Sequence, residues 1–200
     1  MAISAQQYQS MVKRLEGKRT ASPAMEPTVA APRRDQIILG VDPSLRCTGF
    51  GVIRTRGAKL EVVAYGEVPC PASWPQSRCL LHISQTLRET IAKHRPTVCV
   101  VEGIFYAQNL QTAILMGAAR GASLVSAAEA GLDVYEIAAK RVKQAIVGFG
   151  GAGKPAVAKM VQRMLGLAEE PPADAADALA LAIAHAQEGT RFGLVTPRKV

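Results

Sequence analysis

The run IILGVD (37–42) is apolar at almost every position up to its closing aspartate, the pattern of a strand buried on both faces. GFGVIRT (49–55) and KLEVVAYGEV (59–68) follow with glycine-rich turns between them, which predicts antiparallel hairpins. The period then lengthens. Leu80, Ile83, Leu87 and Ile91 recur at helical spacing, predicting an amphipathic helix over about 75–94. TVCVVE (97–102) reads as another buried strand, an alanine-rich stretch over about 109–130 as a long helix, and LDVYEI as a fifth strand. Helices over about 138–147, 155–165 and 173–187 complete the series. Three strands, then strands alternating with helices, predict an α/β fold with a mixed five-stranded sheet flanked by helices.

Outside this region the periodicity disappears. ASPAMEPTVAAPRRDQ is rich in proline and alanine, so residues 1–35 are expected to form a mobile extension, with a short helix at most over 7–17. Lys13, Arg14, Lys18, Arg19, Arg33 and Arg34 make it basic. The folded domain is expected over 36–188, and residues 189–200 as a C-terminal tail.

A hydrophobic fraction of 48% fits a globular chain, and a formal charge of +8 favours a polyanionic partner, nucleic acid before an acidic membrane surface. Cys47, Cys70, Cys79 and Cys99 form neither a C-x-x-C pair nor a zinc-like spacing, so a reducing compartment is expected. The first twenty residues lack the apolar core of a secretory signal, and no stretch reaches the length of a membrane span. A cytoplasmic location is the expectation.

The chemistry lies in the carboxylates. ADAADALALAIAHA (173–186) reads as a helix buried on most sides, yet it carries Asp174 and Asp177 on one face. An ionised carboxylate in an apolar setting costs several kcal/mol, about the effective penalty for burying one ion, unless a helix N-terminus, an arginine or a metal compensates it. Asp42 closes the first strand and Glu102 the fourth, and ligands gather at the carboxyl ends of strands in α/β sheets. If the helical acids face the same sheet edge, four carboxylates converge. They repel one another unless divalent cations sit among them, and an all-oxygen donor set selects Mg²⁺ or Mn²⁺ over zinc. Two such ions about 3.5–4 Å apart serve in-line phosphodiester displacement. The residues therefore point to a metal-dependent nuclease.

ILGVDPSLRCTGFGVI, VVEGIFYAQNLQTAILMGAARG, KRVKQAIVGFGGAGK and ADAADALALAIAH resemble, in order and spacing, the RuvC family of Holliday-junction resolvases over about residues 36–188. The resemblance implies a ribonuclease H-like fold and a homodimer that nicks four-way DNA junctions symmetrically, in recombination and repair. It implies Asp42, Glu102, Asp174 and Asp177 as catalytic metal ligands for Mg²⁺, with two ions per subunit and Mn²⁺ as a substitute. It also implies the RuvA–RuvB branch-migration complex as a partner. A C₂ dimer would present two identical sites to the two equivalent strands of a junction. Gly117, Ala118, Ala119, Gly121 and Ala122 would admit a second helix closely, either across a dimer interface or inside the monomer.

Basic and aromatic residues beside the acids are the candidate DNA contacts. Gly148–Lys154 has phosphate-loop spacing, but Pro155 stands where the hydroxyl would be and the preceding stretch is helical, which excludes an ATP site. Pro155 instead suits the first turn of a helix. What remains is a flexible glycine loop presenting Lys154, and both Lys154 and Lys143 match DNA-contacting lysines of the family. Phe105, in EGIFYAQN, matches its stacking aromatic, whereas Asn109 reads as a helix cap. Arg46 sits beside the first acid and could touch phosphate; Ser44 and Thr48 fit turn chemistry. His185 reads as a cation at a helix C-terminus.

The alternatives are a non-catalytic junction-binding protein, a related nuclease for RNA–DNA hybrids, and an actin-like ATPase. The last needs a second nucleotide-binding lobe that 200 residues do not accommodate.

Overall fold

The computed structural model describes residues 35–103, 110–188 and 198–200. Along the chain these form β1 (Gln36–Asp42), β2 (Cys47–Arg56), β3 (Lys59–Pro69), α1 (Gln76–His94), β4 (Val98–Gly103), α2 (Leu110–Glu129), β5 (Asp133–Ala138), α3 (Ala139–Val147), α4 (Lys154–Leu165), α5 (Ala173–Glu188) and β6 (Arg198–Lys199). The expectations for the N-terminal extension, Phe105, Asn109 and the tail up to Pro197 lie outside the described residues.

The sheet order is β3-β2-β1-β4-β5-β6. β1, β2 and β3 pair antiparallel through consecutive hairpins, β1, β4 and β5 pair parallel, and β6 runs antiparallel to β5. The β2–β3 turn is Gly57–Ala58, with Gly57 at φ 56°, where glycine alone carries no steric penalty. Five strands match the hydrophobic pattern; the sixth comes from a tail expected to be a mere appendage. Its two residues have no apolar alternation to betray them. Ion pairs accompany the pairing: Lys199 Nζ lies 2.6 Å from Asp133 Oδ1 and Arg198 Nη1 lies 3.8 Å from Glu136 Oε1.

Alternation along the strands divides the interior in two. Leu39, Val41, Val52, Cys99, Val101 and Val134 pack with α1 and α2 residues such as Ile83, Leu87 and Ala119. Ile38, Ile53, Val98, Val100 and Ile137 belong to the other cluster, with residues of α3, α4 and α5. A half-buried ion pair, Arg120 Nη2 to Glu136 Oε2 at 2.6 Å, ties α2 to β5. No helix among the described residues is long and apolar enough to cross a membrane.

Helix α5 is the centre of the second layer. Ala178, Leu179, Ala180, Leu181, Ala182 and Ile183 are all buried, as befits a helix that is apolar all round. Its seat on the sheet is made of glycine. Gly40 and Gly51 are paired across β1 and β2, and Gly49 is paired with Asp42. A methyl group at Gly40 would collide with the Ala178 carbonyl oxygen, and one at Gly49 with that of Asp174. One at Gly51 would come within 2.7 Å of the Leu179 side chain. The helix backbone thus rests directly on the strand backbones.

His185 lies in the last turn of α5, as expected, but its surroundings do not favour the charged form: its ring centroid lies 5.2 Å from that of Tyr135, its Nδ1 is buried with no hydrogen-bond partner, and burial lowers its pKa. Desolvation there favours the neutral ring over a charge the C-terminal dipole would welcome.

Candidate active site

The glycine seat fixes where the acids meet. Asp42 and Glu102 each stand one position past Val41 and Val101, the last paired residues of the parallel strands β1 and β4. By alternation both share the face of Ile38, Gly40, Val98 and Val100, on which α5 lies. Asp177 approaches from the first turns of that helix. The three carboxylates line one cleft of ≈ 130 Å³ together with Lys143 of α3 and Lys154 of α4.

Burial and mutual repulsion dominate the electrostatics. Desolvation, followed by the charges of Glu102 and Asp177, raises Asp42 to about 7, against the opposing pull of Lys154. Glu102 is raised for the same first reason, partly offset by its hydrogen bond with Asp42. Lys154 Nζ lies 2.6 Å from Asp177 Oδ2, and that hydrogen bond raises the lysine pKa. A site that holds protons this far above the usual carboxylate range, and recruits a lysine cation, is short of positive charge. The donors are oxygens only. The residues present therefore fit a divalent cation of the magnesium type.

Asp174 sits at the edge of this group. Its charge contributes to raising Asp42, but it does not line the cleft. Its carboxylate lies within 4.8 Å of the Cys47 sulfur and a Glu67 carboxylate oxygen, which likewise lie within that distance of each other. The Cys47 thiol, raised to about 12 by burial and then by its hydrogen bond to Asp174, stays protonated and points to no thiolate chemistry. Glu67 Oε1 accepts the main-chain N–H of Asp174 at 3.2 Å, satisfying an open donor at the start of α5. Sequence reasoning missed Glu67. Its proximity follows from the pairing of Glu67 with Gly49, the glycine under Asp174, and no local motif encodes that register.

The remaining candidates separate. Lys143 and Lys154 are both in the cleft, but Lys154 is paired with an acid there. Arg46 Nη1 donates to the Pro71 and Trp74 carbonyl oxygens at 2.9 and 3.3 Å, bracing the segment after β3; it does not line the cleft. Ser44 and Thr48 form the expected turn, with Thr48 Oγ1 donating to Ser44 O at 2.7 Å and accepting from Ser44 N. Gly148–Gly153 is a folded turn rather than a loose tether. Gly148 ends α3 at φ 84° and donates to Gln144 O at 2.9 Å, and Ala152 donates to Phe149 O at 3.2 Å. Phe149, 67% exposed at its start, was also missed, although an aromatic inside a glycine-rich run is a visible signal.

Fold and cleft together define a ribonuclease H-like α/β domain with an acidic site at the carboxyl ends of its central strands. The family model described as crossover junction endodeoxyribonuclease RuvC matches residues 38–185, and the chain belongs to that family. The protein of that name from Marinobacter nauticus is 48% identical over 150 residues, covering 75% of this chain and 85% of its own. Its counterpart from Coxiella burnetii (strain RSA 331) is 44% identical over 155 residues, covering 78% and 88%. The structure of T. thermophilus RuvC in complex with Holliday junction substrate is similar at a TM-score of 0.75 and 36% identity, over 82% of this chain and 99% of that one.

Proposed function

We propose that this chain acts as a homodimer that makes paired, symmetric, Mg²⁺-dependent nicks in four-way DNA junctions during recombination and repair. The observation that carries the reading is the convergence of Asp42, Glu102 and Asp177 in one cleft flanked by Lys143 and Lys154. The capture of a 36% identical relative with a Holliday junction supports the substrate.

Asp42, Glu102, Asp177 and, from the edge, Asp174 would hold the metal. Bound there, two Mg²⁺ ions would acidify the attacking water and stabilise the departing oxygen. Lys143 attracts the phosphate strand toward the acids. Lys154 exchanges its carboxylate partner for phosphate as the strand enters. Burial on the glycine seat holds the aspartates of α5 to a fixed spacing from Asp42, which positions the reacting groups without further adjustment.

The surface for a second copy is the outer stripe of α2. Leu110, Ile114 and Val125 are 77%, 59% and 53% exposed on one helical face. Gly117 and Gly121 lie between them, where an added Cβ would meet nothing within 4 Å. A matching helix across a two-fold axis would cover this stripe with the backbones in close approach.

The test is strand cleavage of a labelled four-way junction in Mg²⁺, beside linear duplex and an RNA–DNA hybrid, with Asp42→Asn and Asp177→Asn alongside. Symmetric paired nicks in the junction alone, lost in both variants, are expected. Tight binding without cutting in Mg²⁺ or Mn²⁺ would favour a binding protein, and equal cutting of the hybrid would favour a general nuclease.

A further inference from the structure

Phe149 is the most exposed aromatic side chain among the described residues, at 67%. It stands between two cleft lysines, six residues after Lys143 and five before Lys154. The Gly148–Gly153 turn leaves the C-terminal end of α3, folds back against Lys140 near the start of that helix, and ends at Lys154, the cleft residue that opens α4.

The turn is built to present the ring. Gly148 reverses the chain at φ 84°, a conformation L side chains rarely adopt. Gly150 packs against α3 so closely that a Cβ would lie 2.7 Å from Lys140 Cγ and 3.1 Å from the Lys140 carbonyl oxygen. A Cβ on Gly151 would lie 2.8 Å from the Phe149 ring, so the ring rests beside bare backbone instead of another side chain. The two glycines fold the turn down onto the helix and leave one large apolar surface facing water.

We infer that Phe149 stacks on an unpaired nucleobase beside the phosphate held at the acidic cleft. The lysines on either side supply the positive charge that tracks a nucleic acid backbone, and the ring supplies the platform. That combination of charged groove and aromatic face is how single-stranded segments are gripped without base-specific hydrogen bonds. A four-way junction offers such a segment where base pairs at the branch lose a stacking neighbour. The ring captures a base pulled from that point and holds the strand in the cleft.

This inference rests on the junction-cutting reading above. The experiment uses the full-length protein and a junction carrying 2-aminopurine at the nucleotide beside the cut, with Ca²⁺ in place of Mg²⁺ so that binding precedes any cleavage. Stacking quenches 2-aminopurine, so the unaltered protein and Phe149→Trp should quench it, while Phe149→Ala and Phe149→Leu should not. The last two should also bind the junction about tenfold more weakly, the scale of one lost base–aromatic stack. Their melting temperatures should match that of the unaltered protein, because the ring supports nothing inside the domain. Unchanged quenching and affinity in Phe149→Ala, with junction cleavage intact in the unaltered protein, would overturn the stacking inference alone. Weaker self-association in Phe149→Ala with unchanged quenching would likewise overturn it and assign the ring to a protein contact. Absence of junction cleavage by the unaltered protein would overturn the nuclease reading and this inference with it.

Discussion

Lys154 Nζ lies 2.6 Å from Asp177 Oδ2, so the first residue of α4 reaches the acid that α5 contributes to the cleft. An ammonium and a divalent cation compete for the same carboxylate. Replacing Lys154 with methionine removes the charge that opposes the raised Asp42. The metal-free variant should melt lower at pH 8 than the unaltered protein and gain more from Mg²⁺, while its retention of junction DNA in Ca²⁺ falls several-fold through the lost phosphate contact. Equal gains from Mg²⁺ in both proteins would show that the lysine does not guard the site.

Burial and the neighbouring acids make the metal-free cleft bind a proton more tightly than an ordinary carboxylate, and the sign of that effect on stability is fixed. Asp42 moves from an ordinary 3.8 to about 7 on folding. Its contribution to stability is fully present below the unfolded value and is lost as pH rises through the folded one. The metal-free protein should therefore lose melting temperature between about pH 4 and pH 7. Mg²⁺ should restore it chiefly above pH 7, where the carboxylates are free to bind. Asp42→Asn should flatten both dependences. Melting curves across pH, with EDTA or Mg²⁺, decide the matter; an Mg²⁺ gain equal at pH 5.5 and pH 8 would contradict it.

Gly40→Ala places a methyl group against the Ala178 carbonyl oxygen, a backbone atom that no side-chain rotation can move aside. The variant should lose about 3 kcal/mol or more, above the usual range for overpacking because α5 must lift as a unit. Cleavage should fall further than stability explains, since Asp177 moves with the helix. Chemical denaturation and junction cleavage on the folded fraction measure the two effects separately.

Glu67→Gln keeps an acceptor for the Asp174 N–H but removes a negative charge near the helix N-terminus, and Glu67→Ala removes both. The alanine variant should lose about 1 kcal/mol, as for a lost N-cap, and the glutamine variant less. Junction binding in Ca²⁺ should stay unchanged in both. The Mg²⁺ concentration for half-maximal cleavage should rise in the alanine variant as Asp174 loosens, and little in the glutamine variant. Equal Mg²⁺ requirements in all three proteins would reduce Glu67 to a helix cap.

Asp42 and Glu102 were legible because each ends an apolar strand, and strand ends in such sheets collect ligands. Asp174 and Asp177 were legible because charge is conspicuous on an alanine helix. What the pattern could not carry was cross-strand register. Glu67 reaches α5 only because it is opposite Gly49, and Gly40, Gly49 and Gly51 form one seat only because β1 and β2 pair as they do. The surroundings of His185 and Arg46 were hidden for a related reason. The first is set by the Tyr135 ring from β5, and the second donates to carbonyls 25 and 28 positions away. β6 was invisible because a two-residue strand of charged side chains has no period to detect.

The glycine seat also governs when the protein becomes dangerous to DNA. Asp42 leaves the ribosome before Asp177, which follows 135 positions later by the difference of their numbers. Until α5 has been made and laid into its furrow, the growing chain carries Asp42 and Glu102 without Asp177 held against them. A stalled or truncated product lacking α5 is thus inert, and cutting power arrives in a single step with the docking of that helix.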